Sequence, residues 1–168
     1  MRFWGIIGLF LLTMHTACLK VDTAVSDLPN CEDGLLNNNE REIDCGGPNC
    51  SPCPARMTAL VNGDAWKLTG ANITSQINGN SIYLSGMDSA FRTISLIHSG
   101  SFAPGTYPLL NGLYSTPLQT FLANEGSLHI TEWDTVERFI SGYFSFKGFS
   151  GPTDSVLVTA GYFSFSPY

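Results

Sequence analysis

From residue 57 onward, apolar and polar side chains alternate with a period of two in one short run after another, and this pattern most restricts what the chain can fold into. Side chains that alternate sides belong to β-strands with one buried face. The runs lie at 57–61, 65–69, 73–77, 81–86, 91–98, 105–110, 127–134, 138–147 and 155–165. Asn62-Gly63, between the first two, suits a two-residue hairpin turn, because both residues tolerate the positive φ such a turn needs. No long amphipathic helix is visible, and 17 Gly with 9 Pro favour short strands joined by tight turns. The expected architecture is all-β. An antiparallel β-sandwich or closed barrel of about nine strands occupies residues 57–168, behind a small disulfide-rich module.

Alternation also predicts faces. Leu128 and Ile130 point inward, with His129, Thr131 and Trp133 outward. Ile140, Gly142, Phe144 and Phe146 form the inward face of the next run, and Leu157, Gly161, Phe163 and Phe165 that of the last. The pentapeptide Gly-Tyr-Phe-Ser-Phe occurs at 142–146 and again at 161–165, which predicts two neighbouring strands built alike with their tyrosines outward. Trp66, just after the Asn-Gly turn, is expected in the core.

The N-terminus reads as an export signal: Arg2 supplies the charge, residues 3–14 the apolar stretch, and Thr16-Ala17 the small residues directly before Cys18. The apolar stretch is too short for a comfortable membrane span. Thr16-Ala17-Cys18 resembles a lipobox, which implies cleavage after residue 17 and a lipid on Cys18. Parity agrees, since five cysteines less Cys18 leave four that can pair. Residues 18–30, with no apolar periodicity, are expected to tether the lipid to the folded part. The formal charge of -6 becomes -7 without residues 1–17, which carry Arg2 and no acid. So acidic a chain argues against a nucleic-acid partner.

Residues 31–54 hold Cys31, Cys45, Cys50 and Cys53 among few aliphatic side chains, so covalent bonds must replace a hydrophobic core there. Two disulfides are expected, with three connectivities open. Zinc at Cys50-x-x-Cys53 is the weaker reading in an exported, oxidising compartment. Asp33, Asn37, Asn39, Glu40, Glu42 and Asp44 offer oxygen ligands in one loop. Five acids there, counting Glu32, face only Arg41, so a weakly bound structural calcium is expected as the one candidate cofactor. The segment resembles a short extracellular bacterial module, Cys-x-Asp-Gly-x-x-Asn-x-x-Glu-x-x-x-Asp-Cys-Gly-Gly followed by two cysteines, and the resemblance implies a spacer rather than a catalyst.

The chain shows no phosphate loop, nucleophile elbow or zinc-protease helix. His98 and His129 are expected to be structural, and Glu132, Asp134 and Glu137 to be turn formers rather than a glycosidase pair. Outward Trp133, Tyr143 and Tyr162 are candidates for an aromatic platform that takes a carbohydrate or protein ligand. Residues 57–168 resemble an uncharacterised family of β-rich lipoproteins of Bacteroidota. The resemblance rests on Met-Thr-Ala-x-Val-x-Gly-x-x-Trp at 57–66, Gly-Thr-Tyr at 105–107, Ile-Thr-Glu-Trp-Asp-Thr at 130–135, Ile-Ser-Gly-Tyr-Phe-Ser-Phe at 140–146 and a closing Tyr168. The expected protein is a lipoprotein on the bacterial outer membrane, at its periplasmic or surface face, acting as a non-catalytic binding or adhesion module. A structural envelope lipoprotein and a divergent hydrolase are the alternatives.

Overall fold

The computed structural model describes residues 31–166 except Asn38 and Leu110. The signal at 1–17, the lipidated Cys18, the tether at 18–30 and the closing Tyr168 lie outside the described residues.

Among the described residues ten strands follow one another: β1 (Arg56–Val61), β2 (Asp64–Thr69), β3 (Ile73–Asn78), β4 (Ser81–Met87), β5 (Thr93–Ser99), β6 (Gly105–Pro108), β7 (Asn111–Ser115), β8 (Thr120–Asp134), β9 (Phe139–Ser150) and β10 (Asp154–Phe165). They form a single sheet in the order β2-β1-β10-β9-β8-β7-β5-β4-β3, with β6 beside β8. Every pairing is antiparallel. One sheet rolled nearly shut, rather than two packed face to face, makes this a barrel. β6 and β7 meet β8 in one continuous register, and the Leu109 N–H donates to the Gly126 carbonyl at 3.0 Å between them, so they act as one interrupted strand.

Closure depends on the short link from β2 to β3. The chain of antiparallel pairings makes these two edge strands run in the same direction. Residues 70–72 are too few to carry the chain back along a six-residue strand, so β3 continues roughly where β2 ends. The hydrogen bonds record the handover. Gly70 N–H donates to Ala55 O at 2.7 Å, extending the β1–β2 ladder, and two residues later Asn72 O accepts from Met87 N–H at 3.2 Å, starting the β3–β4 ladder. Gly70, at φ 80°, makes the switch sterically possible.

The interior is filled by side chains from all round the wall. Met57, Trp66, Ile94, Ile130, Ile140, Phe146, Val158 and Phe165 are among those almost fully buried. Burying each such large side chain contributes roughly 1.5–3 kcal/mol. Trp66 is 1% exposed and its indole N–H donates to Arg92 O at 3.4 Å, in the core as expected. The repeated pentapeptides lie side by side, and their glycines explain the repeat. Gly142 faces Phe163 and Gly161 faces Phe144 across the β9–β10 pair. A Cβ on Gly161 would sit 2.6 Å from the Phe144 ring, and one on Gly142 would sit 2.9 Å from Phe163 Cζ. Each glycine makes room for the other strand's phenylalanine.

Two β-bulges overturn two predicted faces. The β10 register shifts between Val158 and Gly161, where Ala160 takes φ 48°. An odd residue inserted there reverses the alternation upstream. Val156 and Val158 therefore point inward, and Leu157, expected in the core, is 51% exposed. A similar shift between Ile130 and Glu132 turns Trp133 inward. The strand list also needs correction: β7 and the first half of β8 were not foreseen, and Phe91, expected in a strand, occupies the β4–β5 turn at φ 57°.

The module has the two expected disulfides, Cys31–Cys50 and Cys45–Cys53. A β-bridge joins Glu42 to Cys45, and Gly46 and Gly47 hold φ values of 75° and 74° at the turn between the disulfides. A side chain on Gly47 would collide with the Asn39 carbonyl.

Candidate functional site

Pairing registers place six outward residues in a row across the barrel wall: Lys67 opposite Thr58, Thr58 opposite Tyr162, Tyr162 opposite Tyr143, Tyr143 opposite His129, and His129 opposite Thr106. At about 4.8 Å between strands the row runs for roughly 24 Å. Tyr143 is 52% exposed, and its ring lies 5.5 Å from that of half-buried Tyr162, tilted by 54°. Thr106 Oγ1 and His129 Nδ1 are 2.9 Å apart and share a hydrogen bond that orients the imidazole. Ser127 and Ser145, paired at 3.1 Å, adjoin the row. Rings, hydroxyls and an imidazole thus stand together on a rigid wall. Such a surface stacks against flat apolar faces while hydrogen-bonding polar edges.

Trp133 does not belong to this row. Turned inward by its bulge, it meets the Phe102 ring edge-on at 5.5 Å, so of the three expected platform residues Tyr143 and Tyr162 stand together and Trp133 packs against the core. His98 is buried, with Nε2 3.0 Å from Ser101 O and its ring 4.8 Å from that of Tyr107. His129 faces outward and is exposed, so the two histidines lie on opposite sides of the wall.

A second constellation joins module to barrel. Arg41 reaches out of its loop to the β8–β9 hairpin, where its guanidinium pairs with Glu132, with Asp134 at 3.3 Å and with Glu137 at 2.9 Å. The same group lies over the Phe139 ring, 3.8 Å from its centre. Burial alone would lower the Arg41 pKa, but hydrogen bonds and charge from Glu132 and Glu137 outweigh it and hold the guanidinium above its usual value. Asp134 does form the turn, its Oδ1 accepting the N–H groups of Val136 and Glu137 at 2.8 and 3.0 Å. Those two bonds, with the charge of Arg41, hold its carboxyl below the ordinary range.

The module's own acids are therefore not faced by Arg41. Glu42 pairs instead with Arg56 at 2.6 Å. Asp33 accepts from Leu35 N–H and the Asn37 amide at 2.8 Å, Asp44 from Gly34 N–H at 2.8 Å, and Glu40 from the N–H groups of Asn37 and Asp44 at 3.3 Å. Asn39 occupies a left-handed turn at φ 63°. A calcium ion in this loop would have to share oxygens already committed to N–H donors. Glu40 and Glu42 each lie beside a cystine, whose sulfurs are not the thiolates a transition metal would take.

Residues 54–167 match the family described as Domain of unknown function (DUF6252). The chain belongs to this family. The DUF6252 segment covers β1 to β10 and the Tyr143–Tyr162 pair, while Arg41 and the four disulfide-bonded cysteines precede it. No curated protein and no solved structure matches the chain. Sequence reasoning missed the Arg41 clamp because its partners lie 91 to 96 residues away and each acid, read alone, is an ordinary turn residue. The one available signal was a lone cation in an acidic loop.

Proposed function

We propose that this protein is an exported lipoprotein of the bacterial envelope, anchored through Cys18, which presents its DUF6252 barrel as a non-catalytic module that binds a carbohydrate or protein ligand. The observation that carries this reading is the outward row with Tyr143 and Tyr162 at its centre. Tyrosine supplies large, rigid contact area at small entropic cost, and the strands on either side fix both rings. Two disulfides suit an oxidising compartment outside the cytoplasm, consistent with the signal and lipobox read in residues 1–18.

Two measurements test the reading together. Cells fed a labelled fatty acid are expected to label the wild-type chain and not a Cys18→Ser variant. Purified protein is then screened against glycans and envelope extracts, and the Tyr143→Ala/Tyr162→Ala double variant is compared for whatever binds. Loss of both rings is expected to weaken binding at least tenfold, about 1.4 kcal/mol, with the melting temperature little changed. Labelling that survives loss of Cys18, or binding indifferent to both tyrosines, would count against it.

A further inference from the structure

The edge of β3 lies unpaired beside a groove, and we propose that it takes up an extended, uncharged peptide from a partner protein as an added strand. The ladder shows which groups face outward. Asn72 O accepts from Met87 N–H, so residues 72, 74, 76 and 78 turn their backbone groups to β4, and 73, 75 and 77 turn theirs away. The Ile73 N–H is taken by Gly70 O at 3.1 Å. Ser75 and Ile77 have no backbone partner on that side among the described residues.

Across the gap runs the linker from the last disulfide into β1. Pro52 and Pro54 lack N–H groups, so this segment cannot complete a ladder with β3. A groove of about 440 Å³ remains, lined by Pro52, Pro54, Ala55, Ala71, Ile73 and Ser75 among others. None of its lining residues is charged. Proteins usually guard an exposed edge with charge, proline or a bulge. The other edge, β2, carries Asp64 and Lys67, whereas β3 reads Ile-Thr-Ser-Gln-Ile-Asn with no such guard.

That chemistry specifies the occupant. Backbone N–H and C=O groups in a row select another backbone, and an uncharged groove selects against charged side chains. Ile73 and Ile77 pack against the core yet stay half-buried, so an incoming strand gains most by placing aliphatic or β-branched residues at alternate positions over them.

The test uses the full chain and a displayed library of random hexapeptides. Selected sequences are expected to be uncharged, with apolar residues at alternate positions. Adding the best synthetic hexapeptide should slow amide exchange at Ser75 and Ile77, with no change at Thr74 or Gln76, which already face β4. Ser75→Pro removes the outward N–H and leaves the β4 ladder intact, so it should weaken the peptide at least tenfold. The Tyr143→Ala/Tyr162→Ala variant should bind it normally, which separates this edge from the platform. If Ser75→Pro fails to fold, the wild-type exchange pattern alone decides. No enrichment, enrichment of charged sequences, or unchanged exchange at Ser75 and Ile77 overturns the proposal. So does protection already present without peptide and lost on deleting residues 18–30, since the chain would then be covering its own edge.

Discussion

Arg41 is the residue on which the relation between module and barrel turns. Its side chain is only 17% exposed, and three carboxylates and an aromatic ring surround it. Replacing it with alanine leaves Glu132, Asp134 and Glu137 facing one another without a cation. Removing one partner of a partly buried ionic network costs about 1–3 kcal/mol, so Arg41→Ala should lower the unfolding free energy by that much, read as an earlier denaturant midpoint, and speed amide exchange across residues 31–54. Arg41→Lys should recover little, because a point charge cannot reach three acids as the planar fork does. A variant whose module exchanges no faster than wild type would show that the disulfides suffice to hold it. At this scale the sequence was legible where neighbours decide and opaque where distance does. The paired glycines of the two pentapeptides could be seen, but the phenylalanine each accommodates is set by cross-strand register.

Among the elements, the β1–β2 hairpin shows local chemistry at its clearest. Asn62 and Gly63 hold φ values of 52° and 92°, as expected for the mirror-image turn that matches strand twist. Asn62 does more than turn, since its Oδ1 accepts the Leu157 N–H at 2.8 Å and its own N–H donates to Leu157 O at 2.8 Å, stitching the hairpin to β10. Asn62→Ala loses both the tolerance of positive φ and the side-chain acceptor. A loss of about 1–2 kcal/mol is expected in chemical denaturation. Asn62→Gly should recover the conformational part only, and a glycine variant as stable as wild type would show that the bond to Leu157 contributes nothing. Strands ending in such turns were located within a residue or two. What alternation could not reveal was the bulge, because one inserted residue leaves the composition of a strand unchanged and inverts its faces, as Leu157 and Trp133 show. β7 escaped notice because Asn111 to Ser115 offers only Leu113 and Tyr114 as large apolar residues, on opposite faces.

For the whole molecule, stability should form a plateau with two limbs of different origin. Asp134 is more acidic in the fold than its ordinary value of 3.8, so its ionised form favours the native state. That contribution is complete above 3.8 and is lost as pH falls through the lower folded value. Tyr114 is pushed above its ordinary 10.0, first by burial and then by Asp88 and Asp64 against the opposing pull of Arg92, so its neutral form is the one the fold prefers. Its contribution is present below 10.0 and disappears as pH rises through the raised folded value. Melting temperatures followed across pH should fall at both ends, with Asp134→Asn flattening the acid limb and Tyr114→Phe the alkaline one. An acid limb as steep in Asp134→Asn as in wild type would assign it to other carboxylates.

The position of β1 bears on how the molecule meets mechanical force. A pull transmitted from the N-terminal side enters the barrel at Arg56, after a segment cross-linked at Cys45–Cys53. β1 is not an edge: it is hydrogen-bonded along its length to β2 on one side and β10 on the other. It cannot be peeled away one bond at a time from a free margin. Traction along its axis must shear both ladders at once, so the load is shared by the two flanking strands where the preceding segment enters the barrel.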